Sequence, residues 1–132
     1  MERERINPPT LFQHPAFTRV LTVKGPCKFI FIAGLTAADM NYKCVAPGDC
    51  RAQYINILEN LTVQLEAAGA TWDDVVFRRI YALDVDAFLK VQADVATPWS
   101  PGSAPPSTLI GVTRLSSPDF VLEIDLMAVA AS

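Results

Sequence analysis

The sequence has few of the residues from which metal centres and covalent catalytic systems are built. Its 132 residues include one histidine, His14, and three cysteines, Cys27, Cys44 and Cys50. The cysteines form no CxxC pair, so the sequence predicts neither a disulfide framework nor a cysteine-rich zinc site. A Ser-His-Asp or Cys-His system would depend on His14 alone. We therefore expect no metal and no cofactor.

The sequence also lacks an excess of positive charge and a long apolar run. Eleven Lys and Arg residues against fourteen Asp and Glu residues give a net charge of −3, and there is no basic stretch. A nucleic-acid partner is therefore not expected. No apolar run approaches the roughly 20 residues that span a bilayer, and no apolar segment follows the charged start. We expect no secretory signal, no membrane association and a cytoplasmic location.

Apolar residues are abundant enough to form one core. They make up 51% of the chain, and the length fits a single domain over residues 1–132. Residues 1–15 contain three prolines and predict an extended N-terminal arm.

Apolar periodicity predicts two helices and five strands. A stripe at spacings of three and four follows Asp49 and ends before Gly69, which is typical of a helix with a glycine C-cap. Asp84 and Asp86 are candidate N-caps for a second helix. Strands are predicted near 17–23, 28–34, 75–83, 107–114 and 120–129, with a hairpin turn at 24–26. This order predicts an α+β sandwich with both helices on one face of a mixed sheet, and an opposite face that needs a cover.

The last predicted strand carries two carboxylates on one face. Glu123 and Asp125 are two residues apart, so their side chains project the same way. They point away from the face formed by Phe120, Leu122, Ile124, Leu126 and Ala128. Both are either solvated or paired with an arginine across the sheet. Alternatively, one lies in a partly apolar cleft, where desolvation raises its pKa and allows it to act as a general base on water.

Several short segments, in their order and spacing, resemble a known family over nearly the whole chain, from about Phe17 to Ala130. They are Ile32-Ala33-Gly34, Gln53 and Asn60 in the first helix, Glu66-Ala67-Ala68-Gly69, Asp84-Val85-Asp86-Ala87-Phe88, Val112-Thr113-Arg114-Leu115 and Leu122-Glu123-Ile124-Asp125. The family is the Rid family of reactive intermediate deaminases, also called YjgF-like or L-PSP proteins.

The resemblance implies a fold, an assembly and an activity. The fold would be a chorismate-mutase-like α+β domain, assembled as a homotrimer with a central barrel and clefts between subunits. The activity would be hydrolysis of imines and enamines such as 2-aminoacrylate, with release of ammonia. A glutamate of the last strand positions water in such enzymes, and Glu123 matches it. An arginine before the penultimate strand binds the substrate carboxylate.

This chain departs from the family pattern around the implied substrate site. Ser107 stands at the position of the arginine, and Phe17 at that of a tyrosine. Ala33, next to Gly34, replaces a serine, and Gln92 replaces an asparagine. Because serine cannot supply the charge of a guanidinium, the departures predict a neutral substrate in a more apolar pocket.

Two kinds of neutral substrate fit this expectation, an imine and a small cyclic amide such as a γ-lactam. Both reactions deliver water to an sp² carbon bonded to nitrogen. Opening a lactam also requires stabilisation of an oxyanion, for which Ser107, Thr108 or backbone N–H groups near Gly34 are candidates.

Three alternatives remain open from the sequence. In the first, catalysis has been lost, which leaves a non-catalytic trimer that binds a small metabolite. Arg78 and Arg79 are adjacent in a strand and point to opposite faces, so one of them could replace the missing arginine from another direction. Family members have also been described as endoribonucleases, a function that the net charge of −3 disfavours.

Overall fold

The computed structural model describes residues 1–132 in full. Its elements are β1 (Glu2–Ile6), β2 (Val20–Lys24), β3 (Cys27–Leu35), α1 (Cys50–Ala67), a 3₁₀ turn (Trp72–Asp74), β4 (Val75–Ala82), α2 (Val85–Asp94), β5 (Ser107–Gly111) and β6 (Leu122–Ala131). Neither α1 nor α2 combines the length and the apolar composition that a bilayer-spanning helix requires.

The strands form two sheets of different size. The larger has the order β3-β6-β4-β5, in which β6 is antiparallel to both neighbours and β4 is parallel to β5. The parallel pair is connected through α2, as parallel neighbours require a crossover. The smaller sheet is the antiparallel pair β1-β2. The larger sheet is therefore mixed, as the sequence predicts.

The first helix has the ends that the sequence predicts. The side chain of Asp49 caps α1 by accepting a hydrogen bond of 3.0 Å from the N–H of Ala52. Gly69 follows the last turn with φ of +77°, a conformation that glycine adopts without steric cost. The apolar stripe between these ends is buried against the sheet. Its core members are Tyr54, Ile57, Leu58, Leu61 and Leu65.

The two faces of the larger sheet differ sharply. On the helix side, β6 contributes Leu122, Ile124, Leu126 and Ala128, all of which are buried, and Phe120 is buried just before the strand. On the other side, Phe29 and Phe31 are 63% and 72% exposed. The predicted α+β class with two helices on one face is confirmed. The cover of the outer face is not part of one chain, so the homotrimer stays a prediction.

The N-terminal region differs from the predicted order of elements in two ways. Residues 2–6 of the predicted extended arm form β1, a strand that was not predicted, because they pair with β2. The predicted hairpin at 24–26 is wrong, because β2 pairs with β1 and not with β3. The small sheet is fixed to the larger one by the Arg3 guanidinium, which bonds to Asp74 and to the carbonyl of Val129.

Gln53 is a fully buried polar side chain that connects α1 to two loops. Its Nε2 donates to the carbonyls of Ala46 at 2.8 Å and Asp119 at 2.9 Å, and its Oε1 accepts from the N–H of Val121 at 3.0 Å. These bonds fix the loop before α1 and the entry to β6. The position of β6 along the sheet therefore depends on a glutamine of the helix.

We expect Gln53→Leu to lower the free energy of unfolding by about 3 kcal/mol, because it leaves buried backbone groups without partners. Urea denaturation measures this loss. Gln64→Leu is the matched control, since Gln64 is half-buried on the same helix and its side chain makes no hydrogen bond. The control is expected to change stability by less than about 0.5 kcal/mol. Equal losses in both variants would contradict a role for the hydrogen bonds.

Candidate functional site

Arg78 is the most deeply buried charged residue of the chain. Its side chain projects from β4 toward the helices and is 1% exposed. Two segments meet around it. Thr18 Oγ1 donates to the carbonyl of Ala104 at 2.6 Å, and the backbone N–H of Arg78 donates to the carbonyl of Pro106 at 2.9 Å. These contacts bring the segment containing Phe17 against the start of β5.

The guanidinium of Arg78 donates three hydrogen bonds, none of them to an acid. Its Nε donates to Ser107 Oγ at 2.9 Å, and its Nη2 donates to Gln92 Oε1 at 3.2 Å and to the carbonyl of Ala16 at 3.3 Å. The group stacks over the ring of Trp99, 4.8 Å from the ring centre. Its Nη1 is buried and makes no hydrogen bond. Burial lowers the pKa of Arg78, an effect that the nearby Tyr54 opposes.

Arg78 lines a cavity of about 360 Å³ between α2 and the N-terminal segment. We call this cavity the Arg78 pocket. Its defining residues are Phe17, Arg78, Phe88, Leu89, Gln92 and Ser107. The His14 ring stacks on Phe17, 5.8 Å between centres, and also lines the cavity. The pocket thus has a mostly apolar wall with one buried cation and one carboxamide.

Glu123 lies on the opposite face of the sheet, beside an irregularity in β3. The register of β3 against β6 shifts between Ile32 and Leu35, which places Ala33 and Gly34 at a bulge. A Cβ atom on Gly34 would overlap the Glu123 carboxylate. The absence of a side chain at Gly34 therefore gives this carboxylate its space.

Glu123 and Asp125 have different electrostatic surroundings. Asp125 accepts from Arg79 Nε at 2.9 Å and from the Tyr81 hydroxyl at 3.0 Å. Glu123 is half-buried and takes part in none of the four ion pairs of the chain. Burial raises the pKa of Glu123, and the negative charge of Asp125 adds to that rise. Glu123 is therefore the carboxylate suited to exchange a proton with water.

The side chains predicted from the sequence fall into two groups. Phe17, Gln92 and Ser107 meet in the Arg78 pocket. Gly34 lies against Glu123, and Ala33 and Gly34 line a groove on the outer face together with Asp125. Thr108 is exposed and pairs with Arg79, so it stands on the outer side, away from Ser107. One chain does not bring the two groups together.

The two adjacent arginines of β4 have different partners and lie on opposite faces of the sheet. Arg79 is exposed and paired with Asp125, whereas Arg78 reaches the Ser107 position from the neighbouring strand. The contact between Arg78 and Ser107 depends on the parallel register of β4 and β5, which no local sequence pattern predicts. No three His, Cys, Asp or Glu side chains converge where they would hold a metal ion.

Comparisons with known proteins agree on one family. The model of the Endoribonuclease L-PSP family matches residues 15–130. A RutC family protein of Pyrococcus horikoshii is 33% identical over 100 residues, which cover 76% of this chain and 78% of the relative. The solved structure of YyfB from Yersinia pestis, described as a Rid family protein of unknown function, is 29% identical, with a TM-score of 0.77 over 97% of this chain and 98% of that one.

A second solved structure gives the same result. Rv2704 of Mycobacterium tuberculosis, described as a member of the YjgF/YER057c/UK114 family, is 26% identical. The TM-score is 0.62, and the likeness covers 98% of this chain and 100% of that one.

Proposed function

Because this chain belongs to the Endoribonuclease L-PSP family, whose members are also named Rid and YjgF proteins, we propose that it is a hydrolase of C–N bonds in small molecules. The observation that carries this proposal is the state of Glu123. It is a half-buried carboxylate with a raised pKa and no ion-pair partner, beside a residue without a side chain. Such a group is available as a general base.

The proposed reaction begins when Glu123 accepts a proton from a water molecule as the water oxygen bonds to the sp² carbon of the substrate. With an imine, Glu123 passes this proton to the nitrogen, which gives a carbinolamine and regenerates the carboxylate. Glu123 then accepts the proton of the carbinolamine hydroxyl and transfers it to the nitrogen, so that the C–N bond breaks and ammonia leaves as the carbonyl forms. With a γ-lactam, the same steps pass through an oxyanion and end in ring opening.

We further propose that the active unit is a homotrimer with clefts between subunits. The Arg78 pocket and Glu123 open on opposite faces of one sheet, so an assembly is the way to bring them into one cleft. The outer face also carries an apolar row, Phe31, Met127 and Phe77, which are direct neighbours across β3, β6 and β4. Exposed aromatic side chains in such a row are typical of a surface that a partner covers.

Ser107 and the residues around it lead to different expectations for the charge of the substrate. Ser107 alone predicts a neutral imine or lactam, because serine carries no charge. Arg78 Nε lies 2.9 Å from Ser107 Oγ, so the pocket also contains a positive charge that comes from the neighbouring strand. An RNA substrate is not supported, because the chain has a net charge of −3.

We expect light scattering after size exclusion, at micromolar concentration, to give a mass three times the 14.4 kDa of the chain. The physical reason is the apolar row, which would otherwise remain in water. A mass of 14.4 kDa would contradict the trimer and, with it, the shared cleft.

The activity is tested with a panel of C–N substrates. It contains 2-aminoacrylate, neutral imines and a five-membered lactam, and the assays follow ammonia release and ring opening. Turnover of at least one member that depends on Glu123 supports the hydrolase. Binding of panel members with no turnover would contradict it and would favour the alternative, a non-catalytic trimer that binds a small metabolite.

A further inference from the structure

The two carboxylates on the outer face of β6 turn away from each other. Glu123 and Asp125 are two residues apart in the strand, so their backbone positions are separated by about 7 Å. Carboxyl side chains at that spacing can reach each other, and carboxylates in contact share one proton. Here the Glu123 carboxylate lies against Gly34 of β3, whereas Asp125 bonds to two side chains of β4.

Arg79 and Tyr81 are the β4 side chains that hold Asp125. In the register of β4 against β6, Arg79 lies directly opposite Asp125 and Tyr81 lies directly opposite Glu123. Arg79 bonds straight across the sheet, from its Nε to Asp125 Oδ1 at 2.9 Å. The Tyr81 hydroxyl instead donates to Asp125 Oδ2 at 3.0 Å, along a diagonal that a tyrosine is long enough to span. Both oxygens of Asp125 therefore accept a hydrogen bond from β4.

Few charged or titratable groups surround this pair. Burial raises the pKa of Glu123, and Asp125 is the one charge that adds to the rise. On the β3 side, residues 33–35 bring no titratable side chain. On the β4 side, the groups are Arg79 and Tyr81. Burial raises the pKa of Tyr81, so its hydroxyl keeps the proton that it donates to Asp125.

We infer that Arg79 and Tyr81 are positioning residues, which hold Asp125 toward β4 and so leave Glu123 as the one carboxylate of the pair that exchanges a proton. Without either bond, Asp125 could turn along β6 to Glu123, and the two groups would share one proton. The titration would then belong to the pair and not to Glu123. The inference rests on the proposed function only in giving this proton a use in catalysis.

A shared proton would weaken Glu123 as a base. Two carboxylates in contact release their proton only at higher pH, because its loss leaves two like charges side by side. The cation of Arg79 and the hydroxyl of Tyr81 oppose this by stabilising the negative charge of Asp125 at a distance from Glu123. The lowest pH at which Glu123 accepts a proton from water is therefore set by two side chains that act through Asp125.

The test follows both carboxyl groups by NMR as the pH changes, on the full chain in its native assembly and without substrate. Side-chain carboxyl carbons are labelled with ¹³C, and the spectra of Glu123→Gln and Asp125→Asn identify the two signals. In the parent protein we expect Glu123 to titrate in one step that the Asp125 signal does not follow. In Tyr81→Phe both signals should change together in two steps, the upper of which shows a proton affinity about threefold or more above that of Glu123 in the parent.

Variants of Arg79 give a second, independent measurement. Arg79→Gln should change the titration in the same direction as Tyr81→Phe, and Arg79→Lys should restore part of the parent behaviour because it restores the charge. Tyr42→Phe is the matched control for Tyr81→Phe, since the Tyr42 hydroxyl bonds to Ser116 and to neither carboxylate. The control should titrate like the parent protein. Should Tyr81→Phe or Arg79→Gln not fold, the other variant decides.

An unchanged titration of Glu123 in Tyr81→Phe and Arg79→Gln would overturn the inference, as would two signals that already change together in the parent protein. Residues with a merely structural role would lower the melting temperature and leave the titration as it is. Turnover distinguishes this inference from the proposed function. If Glu123 is the base, the fall of kcat at acid pH moves to higher pH in Tyr81→Phe; if it is not, the NMR result stands and the rate does not follow it.

Discussion

Glu123→Gln is expected to lower kcat for the C–N substrate by about 10²–10⁴-fold, the range typical of general acid–base assistance. The substitution keeps the size and the hydrogen-bonding reach of the side chain and removes the base. Steady-state kinetics measure the loss, with light scattering to show that the assembly is intact. The melting temperature at neutral pH should not fall, because the variant removes a carboxylate whose pKa is raised by burial.

Asp125→Asn is the matched control for this prediction. Asp125 lies two residues along the same face, but Arg79 and Tyr81 occupy its carboxylate. We expect a loss of less than about tenfold in kcat, because Asp125 orders neighbouring side chains and is not placed to receive a proton from water. Equal losses in the two variants would contradict the separate roles, and full activity of Glu123→Gln would remove Glu123 as the base.

The pH dependence of the reaction follows from the same carboxylate. Activity requires ionised Glu123, so the rate should fall as the pH drops through its pKa. Because that pKa is raised, the fall should occur above the value of about 4.3 for an ordinary glutamate. The contribution of Glu123 to the free energy of unfolding has the opposite pH dependence. A raised pKa in the folded state favours folding below the unfolded pKa, and this contribution is lost as the pH rises through the folded pKa.

Phe31→Asp is expected to convert the assembly to monomers and to reduce turnover by about 100-fold or more. Phe31 is 72% exposed in the chain, so the monomer should fold, whereas the interface would have to bury an unpaired carboxylate in each subunit. Light scattering gives the mass, circular dichroism gives the fold, and the C–N assay gives the turnover.

Val63→Asp is the control for Phe31→Asp. Val63 is 62% exposed on α1, on the helix side of the molecule, so the same kind of change should leave mass and turnover unaltered. A Phe31→Asp protein that remains a fully active trimer would show that the apolar row is not the interface.

Sequence patterns predicted those parts of the fold that depend on interactions within short segments of the chain. Asp49 and Gly69 delimit α1 because capping and left-handed backbone are properties of short segments. The alternation in β6 correctly separated the buried face from that of Glu123 and Asp125, since successive side chains of a strand point to opposite sides.

Features that depend on contacts between residues far apart in the sequence could not be predicted from such patterns. The strand β1 is held by Arg3, whose partners Asp74 and Val129 are 71 and 126 positions away. The contact of Arg78 with Ser107 depends on the register of β4 against β5. The sequence identified the residues of the Arg78 pocket through family resemblance, but the source of its charge required the fold.

The close approach of Gly34 to Glu123 also limits the order in which substitutions at these two positions can be accepted. A Cβ atom at position 34 would come within 2.4 Å of the Glu123 carboxylate, so a substitution there moves that carboxylate out of its present position. Shortening residue 123 first would remove the obstruction and make larger residues at position 34 acceptable. A lineage that keeps the Glu123 carboxylate in this position is therefore confined to glycine at position 34, whereas one that lost the carboxylate could fill the bulge and would then have no space for a carboxylate there.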